Sequence, residues 1–252
     1  MRFEKIIPSD RLKPYIKHLI ISEATDDGIY KVFPTTGLVI GFQYSGKLAY
    51  LTNNTENNLA SIGITGIQDK YKIFKQSANI GSILVFFNEI GASYFFKNTI
   101  NELFNQSLSL DYLLAKSEID KVEELLNLAT TDQHRIIVVE NFLLQQLLDK
   151  KEDLLVSQAI KYIHHTKGNI KIKQLSEMLF ISQSPLEKRF RKIVGITPKK
   201  FASIIRFNTV LDHLKQEKSF AFICNENNYF DQAHLIHDFK TFTGETPDKF
   251  EK

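Results

Sequence analysis

Six residues near the C-terminal end recur at one fixed distance. That repetition limits what the chain can fold into more than any other feature. Leu186, Phe190, Gly195, Thr197, Pro198 and Phe201 are matched by Leu235, Phe239, Gly244, Thr246, Pro247 and Phe250, each pair 49 residues apart without a gap. Self-similarity at a constant offset marks one supersecondary unit present twice.

Each copy reads as two helices joined by a tight turn. Ile172, Leu175 and Leu179 have helical spacing, and Phe180 and Ile181 close that helix into the turn. Ser182 then stands where a helix N-cap belongs, because its hydroxyl can accept an orphan backbone N–H of the next helix. Pro185 falls in the first turn, where a missing N–H is harmless. Leu186, Phe190 and Ile193 form one buried stripe, and Gly195 stops the helix. In the second copy Asp231 takes the capping place, Leu235, Phe239 and Phe242 repeat the stripe, and Gly244 repeats the stop. Lys199 to Lys218 reads as one long helix between the copies. Some 20 residues at ~1.5 Å each span ~30 Å, close to the ~34 Å turn of B-form DNA.

These residues resemble the DNA-binding domain of AraC/XylS-type transcription regulators. The resemblance covers about Leu155 to Lys252 and is most specific in ICNENNYFDQAHLIHDFKTFTGETPDKF, Ile223 to Phe250. Asp231, His234, Phe239, Lys240, Gly244, Thr246 and Pro247 match the family pattern. Cys224, Asn228, Leu235 and His237 depart from it, standing for a small residue, the turn glycine, an aromatic and an arginine. The family implies a double-stranded-DNA-binding regulator that activates by contact with RNA polymerase, with repression left open, and the apolar pattern of the chain reads as that of a cytoplasmic protein.

Residues opposite the first buried stripe must face outward. They are Gln183, Ser184, Glu187, Lys188 and Arg191, side chains suited to base edges in the major groove. Arg189, Lys192, Lys199 and Lys200 are placed for phosphates, which position without specifying. The equivalent face of the second copy is Gln232, Ala233, Ile236, His237 and Lys240, poorer in donors. From Leu155 to Ala202 there are ten basic and two acidic residues, whereas from Phe207 to Lys252 there are five and eight. Phosphate neutralisation carries much of DNA affinity, so the first copy is expected to dominate binding.

The first 150 residues are β-rich to about residue 88, where Lys31 to Phe87 is rich in β-branched and aromatic residues broken by Gly and Asn. Gly37 to Tyr44, Lys47 to Leu51 and Gly81 to Phe87 read as strands. Gly91 to Phe104, Ser109 to Lys116, Ile119 to Ala129 and Asp132 to Leu148 read as helices. This half is similar to the cupin-like sensor module of AraC-type regulators, which implies a small-molecule effector, and the long helix from Asp132 offers a homodimer contact. The expected fold class is therefore α+β. A small β-barrel-like module with helices, 1–150, precedes an all-α domain, 151–252, of two helix-turn-helix units joined by a long helix.

Other functions find little support. No glycine-rich phosphate loop or G-x-S-x-G is present, and His18 is the one histidine before residue 130. No catalytic residue, metal or cofactor is expected. A single cysteine, Cys224, rules out an internal disulfide and a cysteine-based zinc cluster. Met1 to Gly28 is broken by charge, and apolar runs such as Ile83 to Phe87 are too short to span a bilayer. The alternative from another class is a small-molecule binding module with a degenerate DNA-binding head. Sequence-preferring, salt-dependent DNA binding separates the two.

Overall fold

The computed structural model describes residues 1–53, 55–226, 229 and 232–250, without the side chains of Phe220 and Ala221. Among the described residues ten strands come first: β1 Arg2–Ile6, β2 Ile16–Ala24, β3 Gly28–Val32, β4 Val39–Ser45, β5 Leu48–Thr52, β6 Thr55–Asn58, β7 Ile62–Thr65, β8 Lys72–Gln76, β9 Ile80–Phe87 and β10 Ser107–Ser109. They form two antiparallel sheets, one ordered β1-β2-β9-β4-β7-β10 and the other β3-β8-β5-β6. Alternation explains the pairing. In β4, Ile40 and Phe42 are buried between half-exposed neighbours, and a period of two puts one face of a strand on the core. Central β9 is buried along most of its length, as expected of a strand flanked on both sides.

Two helices, α1 Lys116–Leu128 and α2 Asp132–Gln146, pack on the six-stranded sheet. The Phe42 and Phe142 rings meet at 5.7 Å. Arg2 ties the edge strand down by pairing with Glu23 on β2 at 3.1 Å and Asp132 on α2 at 2.7 Å. The α2 stripe of Ile136, Val139 and Leu143 is buried against this sheet within the chain.

Several expectations for this half need correction. β1 and β2 lie before the segment read as β-rich. Gly91 to Phe104 is not a helix but two short 3-10 turns, Gly91–Tyr94 and Ile100–Leu103. The segment read as helical from Ser109 begins in strand β10, followed by a single 3-10 turn, Leu110–Tyr112. The apolar spacing there is real, since Ala92, Phe95, Phe96, Ile100, Leu103 and Leu110 are all buried. Tertiary burial alone produces it, without a continuous helix.

Among the described residues six helices follow: α3 Leu154–His165, α4 Ile172–Met178, α5 Gln183–Val194, α6 Pro198–Lys215, α7 Phe220–Glu226 and α8 Gln232–Thr243. Asp153 caps α3 by accepting from Val156 N at 3.1 Å, and Thr197 caps α6 by accepting from Lys200 N at 3.1 Å. α6 starts one residue earlier than read, with Pro198 in its first turn, and ends at Lys215. The buried side chains of both halves form one continuous cluster from Leu12 to Phe242. No helix among the described residues is long and apolar enough to cross a membrane.

Candidate nucleic-acid interface

The first helix-turn-helix consists of α4 and α5. Leu186, Phe190 and Val194 are fully buried, so the stripe closes on Val194, and Ile193 is half-buried beside it. The opposite side carries Gln183, Ser184, Lys188 and Arg191 exposed, with Glu187 half-exposed. Glu187 and Arg191 stand 3.8 Å apart one turn along the helix. An exposed pair like this is worth little, so both groups remain available to a partner.

Ser182 holds the N-cap backbone position, but its hydroxyl makes no capping hydrogen bond. That part of the expectation fails, and the first N–H groups of α5 receive no side-chain cap from Ser182. Helix N-termini with orphan N–H groups attract phosphate oxygens. Asp231, the expected cap of α8, lies outside the described residues. The turn itself holds a feature that sequence reading missed. Phe180 has φ 52° and is 97% exposed. Positive φ is unfavourable for a bulky residue. Tyr229, at the corresponding place in the second copy, is buried under the Arg206 guanidinium, 4.9 Å from its ring centroid.

The four residues assigned to phosphates divide. Lys192 and Lys199 are exposed. Arg189 instead clamps Asp153, with Nε at 2.9 Å and a terminal nitrogen at 2.8 Å. Lys200 is bonded to Asp69 of the β-rich half and lies over the Phe104 ring at 4.2 Å. Burial alone would raise the Asp69 carboxyl, but Lys200 and the Asn105 amide hold it below the usual carboxylate range. Arg189 and Lys200 thus serve internal ion pairs in this conformation.

In the second unit, α7 and α8, Leu235, Phe239 and Phe242 are buried, while Gln232, Ala233, His237 and Lys240 are exposed and Ile236 is half-buried. Asp238 is turned inward onto Arg206 of α6 at 2.9 Å. Part of the acidic character of this unit therefore serves the joint between helices. Among the described residues no three His, Cys, Asp or Glu side chains converge as a metal site would require.

The β-rich half grips both units at equivalent places. Gly195 and Gly244, 49 residues apart, end α5 and α8 with φ 99° and 79°. A Cβ on Gly195 would stand 2.9 Å from Ile100 Cγ2, and one on Gly244 would stand 2.6 Å from the Tyr71 ring. Only glycine allows both the backbone turn and the close approach. Lys31 pairs with Glu245, Phe33 meets Phe207 at 6.5 Å and Phe250 at 5.5 Å, and Glu89 meets His164 at 2.9 Å.

Behind this grip, a cavity of about 320 Å³ lies between the two sheets, walled by Tyr30, Ile64, Phe74, Leu84 and Phe86. Lys72 also lines it. Its ammonium donates to Ser107 Oγ at 2.6 Å and lies 4.1 Å from the centre of the Tyr50 ring. No carboxylate of the described residues pairs with it, and burial pushes its pKa down to about 8.

Residues 175–252 match a family described as a helix-turn-helix domain. The Msm operon regulatory protein of Streptococcus mutans serotype c is 27% identical over 156 residues, which are 60% of this chain and 56% of that protein. The chain thus spans little more than half the length of that relative. Among solved structures, ToxT from Vibrio cholerae is 12% identical with a TM-score of 0.47, covering 99% of this chain and 97% of that one. Unsaturated fatty acid bound wild-type ToxT from Vibrio cholerae strain SCE256 is 11% identical with a TM-score of 0.45, covering 91% and 92%.

Proposed function

Since residues 175–252 match a helix-turn-helix domain, we propose that the protein is an effector-controlled, sequence-specific DNA-binding transcription regulator of the AraC/XylS type. Residues 151–252 bind double-stranded DNA and residues 1–150 sense. The observation that carries this reading is the matched domain presenting an unburied polar face on α5. In this proposal Gln183, Ser184, Glu187, Lys188 and Arg191 read base edges. Lys192 and Lys199 take phosphates, and Arg189 and Lys200 join them once released from Asp153 and Asp69. The second face, Gln232, Ala233, Ile236, His237 and Lys240, is a fitting surface. Contact with RNA polymerase and pairing of two copies complete the proposed action at a promoter.

Control follows from which strands line the cavity. β3 and β8 pair along their whole length and form one wall. Lys31 lies in β3 and Phe33 just after it, while Asp69 and Tyr71 lie just before β8. All four touch the DNA-binding half. A ligand that shifts this hairpin-like pair shifts the grip on both units. Differential affinity for two arrangements of the grip is what such control requires.

The proposal is tested by selecting genomic fragments with the full-length protein and footprinting the strongest site at several salt concentrations. Protection across two successive major grooves is expected, with affinity falling steeply as salt rises. Binding with no sequence preference at any salt, with or without ligand, overturns it.

The lining of the cavity supports an effector with an apolar body and one acidic group, the group Lys72 lacks as a partner. Octanoate is expected to stabilise the wild-type protein and octanol much less, with the difference abolished by Lys72→Met. Lys72 is charged below its pKa of about 8 and neutral above it. Octanoate affinity should therefore weaken by up to about tenfold between pH 7 and 9. Equal binding of the alcohol, or an affinity that ignores pH, removes Lys72 from the site.

A further inference from the structure

A second cavity, of about 550 Å³, lies where the sensor half, the connector and α5 meet. Five cationic side chains line it: Lys97 from the sensor half, Lys150 and Lys151 from the connector before α3, and Arg189 and Lys192 from α5. Asp153 is the one carboxylate in the lining, and it is occupied by Arg189 and by the backbone N–H of Val156. On the same connector stands Glu152, whose charge, after burial, helps to hold the Tyr94 hydroxyl above its usual range. Neither it nor any other carboxylate of the described residues forms an ion pair with the four lysines.

Like charge is therefore gathered from three separate segments, and the one carboxylate of the lining is taken up by Arg189. The Lys150 ammonium donates to the carbonyls of Ser93 and Phe96 at 2.6 and 2.8 Å. Burial and the nearby Lys192 both hold its pKa below the usual lysine value. Such an arrangement costs folding free energy unless an anion shares the space. The uncharged part of the lining restricts which anion. Ile90, Tyr94 and Ile193 offer an apolar wall, and the Asn98 amide is exposed beside them. The volume lies within the range of sites for small organic ligands.

We propose that this junction cleft binds a small phosphomonoester, with the phosphate held among Lys97, Lys150, Lys151 and Lys192 and a sugar or nucleoside body against Ile90, Tyr94 and Ile193. A phosphate dianion brings nearly two charges and three acceptor oxygens, which suits several point-like ammonium donors better than a single carboxylate does. The site is separate from the cavity between the sheets, which offers one ammonium and a mainly apolar wall. A duplex backbone would meet the exposed lysines at the rim but would leave the apolar wall uncovered. Bound here, the anion joins the flank of α5 to the sensor half.

The test uses the full-length protein at matched ionic strength. AMP, glucose 6-phosphate and inorganic phosphate are compared with adenosine, glucose and sulfate by calorimetry and thermal melting. AMP or glucose 6-phosphate is expected to raise the melting midpoint by roughly 5 °C at a hundredfold excess over Kd, with the neutral parents and sulfate inactive. Lys97→Ala and Lys151→Ala, both exposed and outside the DNA-reading helices, should each weaken that binding by about tenfold and leave binding to a non-specific duplex unchanged. The proposal is overturned if no phosphorylated probe shifts the midpoint more than sulfate does. It is also overturned if both variants bind the probes as the wild type does. A loss of duplex affinity and salt slope in these variants, without a loss of probe binding, would assign the lysines to the DNA backbone instead.

Discussion

Arg191→Ala lowers affinity for the selected DNA site by about 5- to 150-fold, the range for a side chain bonded to a base edge at ~1–3 kcal/mol, and relaxes sequence preference at one position. Lys240→Ala, its counterpart on α8, costs clearly less. The asymmetry comes from charge and from donors. Residues 155–202 carry ten basic and two acidic side chains, against five and eight in 207–252. On α5 the outward face ends in an arginine that has only a 3.8 Å contact with Glu187 to surrender. On α8 the outward face carries Ala233 and Ile236, which can touch a thymine methyl but donate nothing. Lys199→Ala is the control for a phosphate contact. It weakens all sequences alike and reduces the salt slope by about one. The measurement is a set of binding isotherms for the three variants at three salt concentrations. A loss for Lys240→Ala equal to that for Arg191→Ala would transfer the reading role to the second unit.

Phe207→Ala costs about 3–5 kcal/mol of stability, as for other fully buried phenylalanines. Phe207 is 1% exposed and sits in the middle of α6, the helix that joins the two units. Its ring stacks on Phe242 at 4.6 Å, tilts against Phe239 at 5.8 Å, and meets Phe33 of the sensor half at 6.5 Å. One truncation therefore opens a void shared by the connecting helix, α8 and the sensor half. Chemical denaturation followed by circular dichroism reads the loss as a lower midpoint at unchanged slope. Phe180→Ala, at a 97% exposed site, should move the midpoint little. A cost below about 1 kcal/mol for Phe207→Ala would mean that the surrounding rings collapse into the void, and the three-way packing would then not be rigid.

The C-terminal architecture was legible because its signals are local. Stripes at helical spacing, a proline in a first turn and a glycine at a helix end act within a few residues. α5 and α6 were accordingly placed within three residues of their observed limits. The outward face of α5 was legible for the same reason, being the complement of a buried stripe. Less could be read where the partner lies far along the chain. Arg189 and Lys200 look like free cations in sequence, yet their carboxylates are 36 and 131 residues away. The segment from Gly91 to Phe104 has helical apolar spacing because Ala92, Phe95, Phe96 and Ile100 fill a shared core, and spacing alone does not distinguish that from a helix. β1 was missed because exposed Arg2, Phe3, Glu4 and Lys5 give an edge strand no alternation to detect, and β2 because Leu19, Ile20 and Ile21 are buried in succession without alternating. Phe180 had no signal at all, since the sequence gives no sign that a phenylalanine stands in the left-handed region.

The paired glycines have a consequence for the geometry of the target. Ile100 abuts the end of α5 and Tyr71 abuts the end of α8, and both residues belong to the β-rich half. That half therefore acts as a caliper whose jaws are set on matching points of two copies of one unit. A caliper held closed accepts half-sites at one separation and rejects DNA whose spacing has been changed by even a base pair or two. A caliper released leaves the two units joined by α6 alone, tolerant of spacing but slower to commit. Under the proposed function, the regulated quantity becomes the permitted distance between two short words in the promoter, as much as the strength with which either word is held.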